Sequence, residues 1–298
     1  MSYYRTCPYC GANLDPGENC DCQIEKKEQE TVRAEAQMTN KEYRQDPGIS
    51  RSNLFEMRKS PLHFQYQMTH PKEDTPALLI GRALHKMILE PGDFESEFAV
   101  CPTVNRRTKA GQEQYAAFMA ENEGKDIVSQ DDYEVMCGMA EVINKHELAK
   151  KLLTGEHEQS FFWTDPDTGE RCKCRPDCMT EYEGQLYLVD YKTTDSCAGM
   201  DFERSVRKYG YDFQAGMYTE GVFANTFQRY GFKFVAQEKK PPYAVRVYDC
   251  SEEFIQQGYD KFREYIGMLH ECRVSGKWYG YEGPDQIETG LFAYGEEV

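Results

Sequence analysis

The chain of 298 residues carries a formal net charge of −16, and 40% of its residues are hydrophobic. This composition is that of a globular protein large enough to bury a core in one main domain with a small appendage. The sequence contains no run of roughly 18–20 apolar residues that could span a membrane, and its first residues lack the apolar core of a signal peptide. We therefore expect a cytoplasmic protein, and the acidic balance argues against nucleic-acid binding through a generally basic surface.

Residues 1–24 are predicted to form a small metal-binding segment. Cys7 and Cys10 are separated by two residues and precede a glycine, and Cys20 and Cys22 follow in the sequence CDC. Because a reducing cytoplasm disfavours disulfides, such a cluster is considered first as a set of metal ligands. The arrangement resembles a zinc knuckle and predicts a structural Zn²⁺ that stabilises a segment without a core of its own. An iron–sulfur cluster and four free thiols are the alternatives.

Residues 25–46 are highly charged and have few apolar side chains, which is expected of a linker or an exposed helix. From Pro47 the composition becomes that of a packed domain, so residues 47–298 are assigned to one domain. Ser50 is a candidate N-cap of a short helix that ends near Pro61.

The rest of this domain alternates between helical and extended patterns. Pro76 suits the first position of a helix, and apolar residues recur at helical spacing from there to Leu89. The order of the predicted helices and strands favours an α/β fold in which helices cover the faces of a sheet. Further helices are predicted over 108–122, 130–153, 209–228 and 251–275, and strands over 158–165, 170–181, 185–193, 231–237 and 243–249.

Two carboxylates and a lysine stand on neighbouring predicted strands. Asp177 follows Arg-Pro in the first strand, and Asp190 and Lys192 lie near the end of the second. A tight turn between the strands brings Asp177 beside Asp190, and Lys192 points to the same face as Asp190 because side chains alternate along a strand. Carboxylates that hold Mg²⁺, beside an ammonium group that stabilises charge on phosphorus, are what metal-assisted phosphodiester hydrolysis needs.

The spacing D-x12-D-x-K is by itself a weak signal, because the chain contains 51 acidic residues. The strand context strengthens it, since Asp190 follows the apolar run LYLV and a buried charge needs a metal or another partner. A structural ion pair between Asp190 and Lys192 on an edge strand is the alternative.

At this point the sequence resembles the PD-(D/E)XK nuclease superfamily and, within it, the RecE-like exonucleases of the exonuclease VIII type found in prophages. The resemblance covers the chain from about residue 47 to near its end. It rests on the segments GRALHKMILEPGDFESEF (81–98), CKCRPDCMTEYEGQLYLVDYKTT (172–194), KYGYDFQAGMY (208–218), FVAQEKKPPYAVRVYD (234–249) and SGKWYGYEGPDQIETG (275–290).

The resemblance implies a central mixed β-sheet flanked by helices and a magnesium-dependent hydrolysis of duplex DNA ends, 5′ to 3′. Asp177 and Asp190 would be metal ligands and Lys192 the catalytic lysine. His85, on the predicted helix from Pro76, would be a further metal ligand, which Mn²⁺ accepts more readily than Mg²⁺ does.

Four further residues are weighed as parts of the same site. Gln214 and Tyr218 match the family pattern Q-x-x-x-Y, and at i and i+4 they share a helix face from which both reach the DNA or the lysine. Tyr191 should point its ring to the opposite face, so that only its backbone carbonyl could reach a metal. Glu158 begins the strand before Asp177 and is a weaker candidate for a place beside the metal.

The remaining basic and cysteine clusters can also be explained without a functional role. The two basic clusters could guide a DNA strand or be ordinary solvated faces: Arg106, Arg107 and Lys109, and Arg204, Arg207 and Lys208. Packing explains Cys172, Cys174 and Cys178 better than a second metal site does, because no second pair has a matching spacing.

The leading interpretation is an exodeoxyribonuclease that resects double-stranded DNA ends for recombination. The family implies a homo-oligomer and cooperation with a single-strand annealing recombinase. The alternatives are another nuclease of the superfamily, acting as an endonuclease or on single strands, and a non-catalytic DNA-end or zinc-dependent interaction protein.

Overall fold

The computed structural model describes residues 38–70 and 75–281, together with the backbone of two antiparallel strands, β1 (Arg5–Thr6) and β2 (Asn13–Leu14). The predicted zinc ligands lie outside the described residues, so that site stays a prediction: Cys7, Cys10, Cys20 and Cys22. In the described part of the chain no helix combines the length and apolar character needed to cross a membrane.

The other described strands are β3 (Ile49–Ser50), β4 (Phe98–Cys101), β5 (Asp126–Ser129), β6 (Glu156–His157), β7 (Phe161–Thr164), β8 (Arg171–Cys174), β9 (Cys178–Tyr182), β10 (Gln185–Thr194), β11 (Gly231–Glu238) and β12 (Val245–Asp249). The central sheet has the order β12-β11-β10-β9-β6. It is mixed, because β10 and β11 are parallel while its other neighbours are antiparallel. Smaller sheets join β3, β8 and β7, and β4 with β5.

The described α-helices are α1 (Asn40–Gln45), α2 (Arg51–Leu54), α3 (Pro61–Thr69), α4 (Pro76–Leu89), α5 (Phe94–Glu97), α6 (Lys109–Glu121), α7 (Gln130–Lys145), α8 (Glu147–Leu152), α9 (Gly199–Tyr209), α10 (Tyr211–Thr226) and α11 (Glu252–Ser275). Ser50 is the N-cap of α2, since its hydroxyl accepts the N–H of Asn53, and Pro76 stands at the start of α4. The α/β fold predicted from the sequence, with helices around a mixed sheet, is confirmed.

The two central strands separate two hydrophobic cores. Along β10, Leu188 belongs to one core while Val189 and Tyr191 belong to the other, as the two-residue period of a strand requires. The first core contains buried residues of α10 and α11, and the second contains buried residues of α4 and α7. The sheet is thus covered on both faces, and polar residues inside it need specific partners.

Several elements differ from the prediction. The helix predicted from Ser50 to near Pro61 ends at Leu54 and is followed by a 3-10 turn over Phe55–Arg58, and α3 begins at Pro61. In the segment predicted as a strand over 158–165, β7 begins only at Phe161.

The helix predicted over 130–153 is divided, because His146 has an extended backbone and its Nδ1 accepts the N–H of Ala149, which starts α8. The extended segment predicted over 170–181 is two strands, since residues 175–177 leave the sheet and Pro176 has no N–H for a ladder. Helix α9 has no counterpart among the predicted helices.

The last residues of the predicted linker pack against the domain. Lys173 Nζ donates to the carbonyl oxygens of Tyr43 and Asp46, each at 2.6 Å. The ring of Tyr43 also lies 6.1 Å from that of Phe162. The end of the region predicted as a linker or an exposed helix is therefore a helix, α1, which packs against β7 and β8 of the small sheet.

Candidate active site

The hairpin of β9 and β10 brings Asp177 beside Asp190. The last pair in its ladder is Cys178 with Val189, so Asp177 directly precedes β9 and Asp190 is the next residue of β10. Asp190 is only 1% exposed. Asp177 Oδ2 accepts a 2.8 Å hydrogen bond from the backbone N–H of Tyr191, which holds this carboxylate against β10.

Lys192 and Gln214 engage the two oxygens of Asp190 separately. Gln214 Nε2 donates to Asp190 Oδ1. Lys192 Nζ forms an ion pair with Oδ2, which is buried. The ammonium group also lies 5.0 Å from the ring centroid of Tyr211, a cation–π distance. Both oxygens of Asp190 thus contact side chains that line the site.

His85 and Glu158 complete a cluster of potential metal ligands. His85 reaches the site from α4, with Nδ1 3.4 Å from Asp177 Oδ2. One ligand atom from each of His85, Glu158 and Asp177 lies within 4.8 Å of the others, and no other such group occurs among the residues that the structure describes. The sequence marks Glu158 only weakly, because a turn residue before a strand carries no distinctive motif.

Burial and repulsion between neighbouring carboxylates raise the pKa values of the acidic residues in this cluster. Burial, and after it the neighbouring Asp177, raise the pKa of Glu158 to about 8, although the Arg175 guanidinium opposes both effects. Burial and then the charge of Asp190 raise the pKa of Asp177 to about 6. Carboxylates crowded in this way are stabilised in their charged form by a cation.

The donor set fits a hard divalent cation. It offers carboxylate oxygens from Asp177 and Glu158, which suit Mg²⁺ or Mn²⁺, and the imidazole nitrogen of His85, which favours Mn²⁺. Asp190 lies beside this group on β10, and its buried Oδ2 is in contact with the Lys192 ammonium. The thiols of Cys172 and Cys174 are fully buried and their pKa values are raised by burial, which agrees with a packing role.

A cleft of about 520 Å³ opens onto these residues and has a markedly basic lining. It is lined by Asn40, Tyr43, Arg44, Ser50, Arg51, Ser52, Asn53, Glu158, Lys173, Arg175, Asp177, Asp190, Lys192, Gln214 and Tyr218. Arg51 is fixed at its edge, where Nη2 donates to the carbonyl oxygens of Tyr209 and Gly210. Arg44 and Arg51 lie far from the aspartates in sequence, so only the fold reveals them as part of the site.

The two basic clusters considered from the sequence are not part of this lining. Arg204 and Arg207 form ion pairs with Asp201 and Glu203 on the exposed face of their own helix. In the other cluster, the Arg106 guanidinium lies 4.7 Å from the Tyr115 ring centroid. Both clusters lie on solvated surfaces, where arginine side chains contact residues near them in the chain.

The predicted helix pair does reach the cleft. Gln214 and Tyr218 lie one turn apart on α10 and both line it, and burial raises the pKa of Tyr218. Tyr191 points its ring into the opposite core, as predicted, where it is fully buried. Metal binding by its carbonyl stays a prediction.

A mixed sheet with two carboxylates and a lysine at the end of one hairpin defines a PD-(D/E)XK-like protein. The chain belongs to the family described as "PDDEXK-like domain of unknown function (DUF3799)", which matches residues 50–287. No curated protein matches the chain.

One solved structure supports the fold. A protein from Eubacterium rectale, described as a "Putative exonuclease", has 15% sequence identity and a TM-score of 0.54, over 88% of this chain and 99% of its own. The protein SSO0001 has 12% identity and a TM-score of 0.32, over 81% of this chain and 86% of its own. At such identities the first likeness concerns the fold alone.

Proposed function

We propose that this protein is a magnesium- or manganese-dependent deoxyribonuclease that resects double-stranded DNA from its ends, 5′ to 3′, as RecE-like exonucleases do. The observation that carries the proposal is the convergence of Asp177, Asp190 and Lys192, with His85 and Glu158 beside them, in one basic cleft. The name of the Eubacterium rectale protein agrees with this activity.

The cation would be held by Asp177 and Asp190, with His85 and Glu158 as further ligands. The chemistry that it supplies when bound is polarisation of the phosphoryl oxygen and acidification of the attacking water. A bound cation would favour the ionised forms of Glu158 and Asp177, whose pKa values are raised by burial and by a neighbouring aspartate.

The lysine and the glutamine have separate tasks. The Lys192 ammonium, close to Asp190 Oδ2, is directed to where negative charge grows on the phosphate during hydrolysis. Gln214 fixes the other oxygen of Asp190 by donating to Oδ1, so the carboxylate keeps one orientation. Tyr211 covers the lysine from the side and limits its motion.

The cleft supports a polyanionic substrate despite the net charge of −16. Arg44 and Arg51 line it, and guanidinium groups contact phosphates along a strand. Most of the acidic surface would repel DNA, so binding is directed to this cleft. Assembly into a homo-oligomer and cooperation with a single-strand annealing recombinase in recombination belong to the same proposal.

The proposal is tested by offering four DNA substrates side by side with Mg²⁺, with Mn²⁺ and with EDTA. They are a linear duplex labelled at one 5′ end, the same duplex labelled at a 3′ end, a covalently closed duplex circle and a linear single strand. End resection predicts metal-dependent loss of the 5′ label from linear duplex while the circle stays intact. Cleavage of the circle would indicate an endonuclease, and preference for the single strand would indicate single-strand specificity. An intact set of substrates would contradict the nuclease assignment.

A further inference from the structure

Tyr191 lies between the two catalytic positions of β10 but takes part in a separate, wholly buried polar chain. Its hydroxyl donates to Gln237 Oε1 at 2.5 Å, and both residues have 0% exposure. Gln237 Nε2 in turn donates to the carbonyl oxygens of Met139 at 3.0 Å and Tyr243 at 3.2 Å. Every polar atom of the Gln237 amide is therefore engaged.

This chain lies in an otherwise hydrophobic core. Apolar neighbours such as Val189, Val235 and Met136 surround it, and polar groups buried there are costly unless each is hydrogen-bonded. A phenylalanine with an aliphatic partner would fill the same space without that cost. A fully bonded network instead selects one ring position, because any rotation leaves buried groups unpaired.

The position of this ring matters to two of the proposed metal ligands. The ring of His85 packs against that of Tyr191, with centroids 5.2 Å apart and planes at 63°. The backbone N–H of Tyr191 donates to Asp177 Oδ2, the same oxygen that lies 3.4 Å from His85 Nδ1. One residue thus contacts a histidine on α4 through its ring and an aspartate beside β9 through its backbone.

We propose that Tyr191 and Gln237 are positioning residues of the metal site, and that the buried chain from Met139 to Tyr191 fixes His85 and Asp177 relative to each other. The inference rests on the proposed function and deepens it. Neither side chain touches the substrate, so their effect is on cation affinity. Substituting a residue that contacts the ligands of a metal, rather than the metal itself, commonly lowers the affinity of the site for the metal by about 10–100-fold.

The matched comparison uses another tyrosine of the same sheet. Tyr248 on β12 donates its hydroxyl to the carbonyl of Cys197 at 2.6 Å. This hydrogen bond is similar in length to that of Tyr191 but is only partly buried. Tyr248 contacts neither His85 nor Asp177. Tyr191→Phe and Tyr248→Phe therefore both remove one tyrosine hydrogen bond, and only the first removes the proposed support of the ligands.

The experiment measures Mn²⁺ affinity by titration calorimetry and melting temperature on the metal-free full chain, with Asp177→Asn defining the active-site cation. Tyr191→Phe should weaken Mn²⁺ binding about tenfold, whereas Tyr248→Phe should leave it within about twofold of the wild type, inside the usual scatter of such measurements. The double variant Tyr191→Phe/Gln237→Met also removes the donor to the carbonyl oxygens of Met139 and Tyr243, so it should neither melt higher nor bind Mn²⁺ more tightly than Tyr191→Phe.

Two results would overturn the inference. One is a Tyr191→Phe protein that melts earlier yet binds Mn²⁺ as the wild type does. The other is a double variant in which affinity returns together with melting temperature, since both then report on folding alone. A wild-type chain that binds no Mn²⁺ sensitive to Asp177→Asn would instead contradict the metal site of the proposed function, on which the inference rests.

Discussion

Asp190 is the residue on which the proposed chemistry depends most. Asp190→Asn keeps the shape of the side chain and an oxygen for Gln214 but removes the charge that holds a cation. We expect cleavage to fall by at least about a thousandfold, since a catalytic metal contributes several kcal/mol. Melting temperature and DNA affinity in EDTA should stay near the wild-type values. Asp249→Asn is the control, because Asp249 pairs with Lys233 at a distance of 2.7 Å on neighbouring strands outside the site.

Lys192 allows a sharper distinction between catalysis and structure. Lys192→Ala should lower turnover by about a hundredfold or more, while DNA affinity changes little. Lys192→Arg should not restore turnover, because a planar guanidinium replaces a compact ammonium group. If the ion pair with Asp190 were merely structural, arginine would restore activity and alanine would chiefly lower the melting temperature.

The chain supplies a matched control for the lysine. Lys233 also pairs with an aspartate, Asp249, and its ammonium lies 4.1 Å from the ring centroid of Tyr187. Lys233→Ala thus removes the same kinds of contact away from the cleft. It should lower melting temperature without a hundredfold loss of turnover, and equal losses in the two alanine variants would contradict a catalytic Lys192.

Glu158 gives a pH dependence with a defined sign. Its pKa is about 8 in the folded protein against 4.5 for the free side chain. Between these values the unfolded chain has released a proton that the folded chain keeps, so the free energy of unfolding falls as pH rises from about 4.5 to about 8. The groups that set this pKa are Asp177 and Glu90, which raise it, and Arg175 and Lys86, which lower it.

Urea unfolding in EDTA at pH 5 and pH 8 measures this dependence. Glu158→Gln should reduce the loss of unfolding free energy between the two pH values by at least about 1 kcal/mol, since a tenfold change in proton affinity corresponds to ~1.4 kcal/mol. Glu156→Gln, at an exposed position on β6, should behave as the wild type does. An unchanged loss in Glu158→Gln would show that this carboxyl is not the group responsible.

At the scale of elements, helices α10 and α11 approach closely enough to exclude side chains. A Cβ atom at Gly258 would overlap the carbonyl oxygen of Asp212, and one at Gly216 would overlap the backbone of Tyr259. Gly258→Ala should therefore lower the free energy of unfolding by about 1–3 kcal/mol or more. Because α10 carries Gln214, turnover should fall as well.

Gly267→Ala in the same helix is the matched control. A Cβ atom there would have no heavy atom within 4 Å. The substitution should stabilise the protein by up to about 1 kcal/mol, because alanine favours the helix. Chemical denaturation of both variants decides the matter: a Gly258→Ala protein as stable as Gly267→Ala would contradict the close packing of the two helices.

The elements that could be predicted are those with a strong local signal. Strand β10 follows from its apolar run, the start of α4 from Pro76, and the meeting of Asp177 with Asp190 from a tight turn between two strands. The division at His146 could not be predicted, because the helical apolar pattern continues across it. The packing of α1 depends on contacts of Tyr43 with distant strands, which no local pattern encodes.

The candidate site was predictable to a similar extent. The carboxylates and Lys192 are visible in the sequence, and His85, Gln214 and Tyr218 are suggested by family resemblance. The basic lining of the cleft and the Tyr191–Gln237 chain join residues from separate elements, so they require the fold. Charge clusters in the sequence were a poor guide, because their residues pair with neighbours on their own helices.

For the whole molecule, the N-terminal cysteines are predicted to bind zinc independently of the nuclease. Protein purified without added metal should contain about one equivalent of zinc per chain. Cys7→Ser should lower it while leaving nuclease activity, because no proposed catalytic residue precedes His85. Cys137→Ser, at an exposed free cysteine, is the control. Less than half an equivalent of zinc in the wild type would contradict the prediction.

The central claim is that the cleft around Asp177, Asp190 and Lys192 hydrolyses DNA with the help of a divalent cation. Its most direct test measures release of a 5′ label from linear duplex DNA by the wild type and by Asp190→Asn, each with Mg²⁺ and with EDTA. The account predicts release by the wild type with Mg²⁺ and in no other combination. Release by Asp190→Asn at the wild-type rate, or by the wild type in EDTA, would contradict it.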